Sequence, residues 1–406
     1  MNYNFENTPY EPNGFGSYGG DEQFLYQGSP KKKKSSPWLL IAICAISAIL
    51  LITGALLLFG DNSDEKSSDI PFFELRYFLN ELSEKELEIF CAVYGGLMSF
   101  EEEIALPHSI SPEDFSPIAM LLCYECPELF QCDYSAGYTY YSGSVPHVKF
   151  SYLYSKDEYT SMRRQCEDII NSFITATDGF SDLEKEKYVY DWFGQNCRYD
   201  KYKTDADNPY GAFINGYAKC DGISLATKWA MESMGIQCLC IGGSAIDGGA
   251  GHAWNIVNIG GNFYLLDTTF GVPTDESVAD ETSFQTYAGF NTTDTWVNEN
   301  YTVTPLFLQV ARIPKCTIAT DSYYSAGKGL VPSGTDPATV IDEKLIDLKN
   351  GKTERIELQF ENSADYAAFV SNSKDIIYGV LAKHGLASSS IETYLLDYYA
   401  VIISVY

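Results

Sequence analysis

The sequence predicts an α+β protein with one N-terminal transmembrane helix. Three observations carry that reading. An uninterrupted apolar run fills 37–60. A helix-periodic segment starts at Cys220, and two alternating apolar segments follow it, meeting at Gly260–Gly261. Further helical and strand segments flank this core on both sides. The predicted organisation is a disordered tail over 1–36, the membrane helix over 37–60 and a linker over 61–70. An α+β extension over 71–180, a core domain over 181–329 and a small α+β unit over 330–406 complete it.

The apolar run reads "PWLLIAICAISAILLITGALLLFG". It holds about 22 apolar or small residues, roughly 33 Å as a helix, which matches a bilayer core. A signal peptide fits poorly, because the run is long, its leader exceeds 30 residues and no A-x-A site follows. Lys31–Lys34 precede the span and an acidic stretch follows it. The positive-inside rule then puts the N-terminus in the cytoplasm and everything after residue 60 outside, as a single-pass protein of the cell membrane. The leader, rich in Asn, Gly, Tyr and Pro without periodicity, reads as disordered.

The chain carries a formal charge of −28 over 406 residues. The leader balances to zero and the apolar run has no charge, so the excess lies after residue 60. That balance disfavours nucleic acid, whose phosphates need clustered Lys and Arg. An apolar content of 45% supports packed cores.

Beyond the linker, Ser83–Glu86 forms a capping box before a helix, and Ser111 with Pro112 opens another. Tyr138–Ser142 and His147–Ser155 alternate as strands. A long helix is expected over Lys156–Thr177, and Ser181–Glu184 caps the next. From Cys220, Ile223, Ala226, Thr227, Ala230 and Met234 recur at helical spacing, and Gly235 suits the stop. "IQCLCIGG" is a short buried strand. The C-terminal unit is expected to hold a strand at "ERIELQF", a helix around 364–383 and a final strand in "YYAVIISVY".

The stretch "GHAWNIVNIGGNFYLLDTTF", Gly251 to Phe270, holds one of four histidines in the chain. With Gly260–Gly261 as a two-residue turn, Ile259 pairs with Asn262, and parity puts His252, Trp254, Asp267 and Thr269 on one face. His252 then lies diagonal to Asp267, about 7–8 Å between backbones and within reach of an imidazole–carboxylate contact. A histidine so oriented is a general base in need of a nucleophile. Cys220, at the start of a helix, supplies it, because the helix dipole and a nearby imidazolium both favour a thiolate. Cys238 and Cys240 sit on a buried strand, where thiols serve as packing.

These pieces, "GYAKCDGISLATKWAMESMGI" followed by the His252–Asp267 hairpin, resemble the transglutaminase-like superfamily, the papain-related group that includes bacterial cysteine-peptidase-like members. The resemblance implies a Cys-bearing helix packed on an antiparallel sheet bearing His and Asp. It gives Cys220 as nucleophile, His252 as base and Asp267 as the residue that orients it. After Cys220 the sequence runs Asp221–Gly222–Ile223, where bacterial members often carry Gly-Tyr directly after the Cys-x pair. The Cys220 backbone N–H, Tyr217 and Tyr199 are candidate oxyanion donors.

His108, His147 and His384 stand in loop-like or surface-like contexts and are expected to be incidental. The chain has eleven cysteines. With Cys44 in the span and Cys220 set aside, an odd number remains outside, so no complete disulfide framework is implied. Cys123, Cys126 and Cys132 could support a local disulfide outside the cytoplasm. A lone C-x-x-C lacks the second pair that zinc needs, and no calcium loop is present, so neither metal nor cofactor is expected.

The expected function is thiol-dependent acyl transfer on amide bonds of a protein or peptide at the cell surface. The outcome is hydrolysis, as in a cysteine peptidase, or transfer to an amine, as in a transglutaminase. A catalytically silent binding or scaffold protein of the same fold is the alternative. The discriminator is whether the Cys220 sulfur approaches His252, and His252 the Asp267 carboxylate.

Overall fold

Polar residues at three element starts set much of the architecture. Ser83, Ser111 and Ser181 each accept a hydrogen bond from a backbone N–H of the first turn that follows, satisfying donors a bare helix end would leave open. In this computed structural model, residues 74–134, 137–141, 146–273, 286–325 and 329–406 are described. The tail, apolar run and linker expected over 1–70 lie outside them. Among the described residues no helix is long and apolar enough to cross a membrane. The chain is mixed α+β, and the described residues fall into two compact units.

One unit runs to Asp168 and includes Pro305–Ile313. Helix α1 (Glu84–Ser99) starts at the Ser83–Glu86 capping box, and helix α2 (Pro112–Glu125) at Ser111. Strand β1 (Ile104–Ala105) pairs with β3 (His147–Phe150), which pairs with β2 (Tyr138–Tyr141) on its other side. Arg76 is buried and ion-paired to Glu128 at 3.0 Å, and Tyr94 adds its hydroxyl to the same carboxylate. The pairing offsets part of the desolvation cost of both charges. Helix α3 (Lys156–Ala176), opened by Ser155 and Glu158, continues in sequence from this unit into the other.

The second unit holds Ile169–Thr304 and Pro314–Tyr406. Helix α4 (Asp182–Asn196) follows its capping box. Two short parallel strands, β4 (Arg198–Tyr199) and β5 (Tyr217–Ala218), lead into helix α5 (Cys220–Ser233). Helix α5 packs on an antiparallel sheet of β6 (Cys238–Ala245), β7 (His252–Ile259), β8 (Asn262–Leu266) and β9 (Tyr301–Val303), in the order β8-β7-β6-β9. Between β8 and β9 lies the short helix α6 (Thr295–Asn300). The register agrees with the sequence reading: Ile259 faces Asn262 and Asn255 faces Leu266. Gly260 and Gly261 both take positive φ, 60° and 87°, as a type I′ turn demands.

In the same unit, residues 330–406 form a second four-stranded sheet. Its order is β10 (Leu330–Val331), β11 (Ile356–Phe360), β13 (Ala400–Val405), β12 (Ile391–Leu395). Helices α7 (Pro337–Lys349) and α8 (Ser363–Lys383) cover it around a core that includes Ile341, Leu345, Leu358, Phe369 and Val401. Two details differ from the sequence reading. Asp336 and Pro337 start a helix that was not expected. Tyr398 and Tyr399, expected inside the last strand, instead form the tip of a β12–β13 hairpin, each at φ 56°. Their backbones are left-handed and cannot continue a strand.

Glu186 on α4 is fully buried, and its Oε2 accepts the Asn291 Nδ2–H at 2.8 Å. Its Oε1 and the Asn291 Oδ1 have no hydrogen-bond partner among the described residues. Burial raises the Glu186 pKa to about 8, so the group is protonated and neutral at pH 7. The unfolded chain releases this proton near pH ~4.3, so the folded state holds the extra proton between pH ~4 and 8, and stability falls as pH rises through that window. The isosteric Glu186→Gln removes the penalty. Urea unfolding should find the variant more stable by on the order of 2–4 kcal/mol at pH 8 and nearly equal to the native chain at pH 4.

Candidate active site

Cys220 is the first residue of α5. The residue before it, Lys219, is extended (φ −97°, ψ −177°) and provides no side-chain cap to the helix. The thiol is in no disulfide and is 8% exposed. Two side chains fix the helix against the sheet. Ser224 donates its hydroxyl to the Ala253 carbonyl at 3.0 Å. Asn255, fully buried, donates to the carbonyls of Ser224 (3.0 Å) and Leu239 (3.1 Å), tying α5, β6 and β7 together. The last residue of "HAWN" thus holds the histidine strand at a set height against the cysteine helix.

His252 opens β7. Its ring packs between Trp254, Phe270 and Tyr301, with centroids 6.0, 5.8 and 5.4 Å away. Asp267 ends β8 and caps a short helical turn over Thr268–Gly271, its Oδ1 accepting the Thr269 N–H at 3.2 Å. Its backbone N–H bonds the Gly289 carbonyl at 2.7 Å. A Cβ on Gly289 would fall 2.6 Å from the Asp267 carbonyl oxygen, so only glycine allows this approach.

The His252 Nε2 lies 2.6 Å from the Asp267 Oδ2. The Cys220 thiol, at the start of α5, is close enough to the same imidazole to act on its charge. Burial opposes the charged ring, yet the Asp267 carboxylate beside it, with a smaller contribution from Cys220, raises the His252 pKa well above the ordinary histidine value. Of the three residues that the sequence singled out, the structure places His252 in contact with Asp267 and within electrostatic reach of Cys220.

Sequence reasoning missed other members of the site. Tyr398, from the hairpin tip of the C-terminal sheet, is buried and donates its hydroxyl to the Asp267 Oδ2 at 2.7 Å. Neighbouring Asp397 is within electrostatic reach of His252 and Asp267, and burial raises its pKa to about 6. Of the two tyrosines considered upstream, Tyr199 feels first burial and then the negative charges of Cys220 and Asp221, all raising its pKa. The Tyr217 ring is covered by the Lys203 ammonium at 4.9 Å. Tyr199 is thus the tyrosine on the thiol side. His108, His147 and His384 pair with Glu88, Glu103 and Asp342. Among the described residues no cluster of His, Cys, Asp and Glu is arranged to hold a metal ion.

Residues 172–268 match the model of the transglutaminase-like superfamily, and this one segment contains Cys220, His252 and Asp267. No curated protein matches the chain. Similar solved structures include one described as a "TGase", at 13% identity and TM-score 0.27, covering 58% of this chain and 60% of that one. Another is described as a "Putative Cysteine Protease from Cytophaga hutchinsonii", at 13% identity and TM-score 0.24, covering 34% of this chain and 62% of that one. The chain thus spans about 60% of the length of either.

The charge on His252 depends on Asp267. In Asp267→Asn the carboxylate is gone, burial prevails and the ring loses its proton near neutrality. The thiol then loses the cation that favours a thiolate. Alkylation of Cys220 by iodoacetamide at pH 6, followed by mass spectrometry of the Cys220 peptide, should slow by roughly tenfold or more. An unchanged rate would show that the carboxylate does not act on the thiol through His252.

Proposed function

We propose that this protein is a membrane-anchored, extracytoplasmic thiol acyl-transfer enzyme acting on amide bonds of peptides or proteins. The observation that carries the reading is the His252 imidazole, 2.6 Å from the fully buried Asp267 carboxylate and within electrostatic reach of Cys220 at the start of α5. The anchor at 37–60 and the outward orientation rest on the apolar run and the lysines before it.

The chemistry follows from the residues. The Cys220 thiolate adds to the carbonyl carbon of a bound amide, forming a C–S bond and a tetrahedral oxyanion. The Cys220 backbone N–H at the uncapped start of α5 and the Tyr199 hydroxyl are the donors for that oxyanion. His252 gives its proton to the leaving nitrogen as the C–N bond breaks, which leaves a thioester on Cys220. Asp267 keeps the imidazole oriented and stabilises its charged form throughout. In the second half, His252 takes a proton from water or from an incoming amine, which attacks the thioester and frees the thiol. Hydrolysis makes the enzyme a peptidase, and aminolysis makes it a transglutaminase. The shared steps need no metal or cofactor.

The alternative of a silent binding protein holds if the Cys220 sulfur is walled off from any cleft. Cys220 is buried, and its electrostatic interaction with the His252–Asp267 pair is what supports the enzyme reading over it.

The test is a mass-spectrometric screen of glutamine-containing peptides with and without a primary amine. Chain cleavage marks the peptidase outcome, and a mass gain equal to the amine less ammonia marks the transferase. Either activity should fall by on the order of 10³-fold or more in Cys220→Ala. Equal turnover by the native protein and Cys220→Ala would overturn the proposal.

A further inference from the structure

The tip of the β12–β13 hairpin has an unusual backbone. Ala400 N–H bonds the Asp397 carbonyl at 3.3 Å, closing a turn whose two central residues, Tyr398 and Tyr399, both lie at φ 56°. Consecutive positive φ values suit Asn-Gly at a hairpin tip, and bulky aromatic residues there are strained. Strain of this kind persists only where surrounding contacts over-determine it, and it concentrates at functional sites.

Here the contacts converge on the candidate active site. The Tyr398 ring packs on Trp296, with centroids 4.3 Å apart, and edge-on against Phe270 at 5.1 Å. Phe270 is also one of the rings that flank His252. Gln359, buried on β11, donates through one amide nitrogen to the carbonyls of Ala288 (2.9 Å) and Tyr398 (3.2 Å). It thereby joins the tip to the loop whose Gly289 carbonyl accepts the Asp267 backbone N–H. The hydroxyl ends 2.7 Å from Asp267 Oδ2, the oxygen that His252 Nε2 also faces.

We infer that the C-terminal sheet delivers Tyr398 as a positioning residue for the Asp267–His252 pair. Its hydroxyl holds the shared carboxylate oxygen in place and withdraws part of its charge from the imidazole. The inference rests on the reading of Cys220, His252 and Asp267 as one catalytic unit, and it assigns to residues 330–406 a part in the site.

A donor on the carboxylate weakens the hold of that carboxylate on the His252 proton. Removing the hydroxyl strengthens the hold, so Tyr398→Phe should raise the His252 pKa. The other groups facing the ring stay in place: Cys220 on α5, Tyr301 on β9, and Asp397 at the tip. The phenylalanine ring still fills the space against Trp296 and Phe270, so the fold is retained.

The test uses the full-length protein labelled with ¹³C at histidine Cε1, in which the four histidines give four resonances. His252→Gln identifies the signal of interest. Tyr398→Phe should shift the His252 titration upward by roughly 0.3–1 pH unit, the worth of one hydrogen bond to a charged group. Tyr399→Phe is the control, because that hydroxyl bonds Glu299 instead. It should leave the titration within about 0.1 unit, while thermal melts check that both variants fold. An unmoved His252 in Tyr398→Phe overturns the inference, and so does an equal shift in both variants, which would mark general loosening of the tip. Because the readout is a titration, it does not depend on turnover. Failure here with activity lost in Cys220→Ala removes only the tyrosine's role, whereas a titration shift without activity removes only the enzyme reading.

Discussion

A carboxylate with no solvent exposure is the constraint around which this site is built. An ionised Asp267 without partners would cost several kcal/mol, so the fold must bring donors to it. Three arrive from different parts of the chain: the Thr269 N–H from its own turn, His252 from the neighbouring strand, and the Tyr398 hydroxyl from the second sheet. The close approach at Gly289 is a fourth tie, through the backbone. Each donor constrains the element that bears it, which is how one charge fixes a hairpin register and the seat of a distant turn. The same charge, held next to an imidazole, makes that imidazole basic enough to face a thiol as a cation.

The first two elements of this arrangement were legible in the sequence because they follow local rules. A double glycine sets a two-residue turn, the turn sets a register, and a period of two then decides which side chains share a face. His252 and Asp267 fall on one face by arithmetic, and Cys220 at a helix start is visible from spacing and from Gly235. Asn255 was quoted within the motif but its work was not readable, since its partners lie at Ser224 and Leu239, one on the preceding helix and one on the adjacent strand.

Tyr398 was hidden for the opposite reason. "DYYAVIISVY" has strand composition up to its last residue, with no Gly or Asn to mark a tip, so local propensity extends the strand through both tyrosines. The structure places a turn there against that propensity. Two bulky residues in left-handed backbone cost of order 1–3 kcal/mol each. A hydrogen bond to a charged carboxylate returns about 1.5–3 kcal/mol, and a fully buried aromatic side chain about 1.5–3 kcal/mol. The balance is close to even, so the turn exists only while Asp267 and the aromatic pocket are there to receive it. No reading confined to the segment itself could have found that.

The hairpin tip also changes the electrostatic account of the site. With Asp397 beside it, the imidazole faces two carboxylates rather than one. Burial, opposed by the positive charge of His252 and aided by the negative charge of Asp267, raises the Asp397 pKa to about 6. Below pH ~6 Asp397 is neutral, and the Asp267–His252 pair balances its own charge. Above it, the second carboxylate adds a negative charge that favours the imidazolium. The tyrosine and the aspartate of one turn therefore act on the same histidine in contrary directions. Tyr398 draws charge away from Asp267, and Asp397 adds charge back as pH rises.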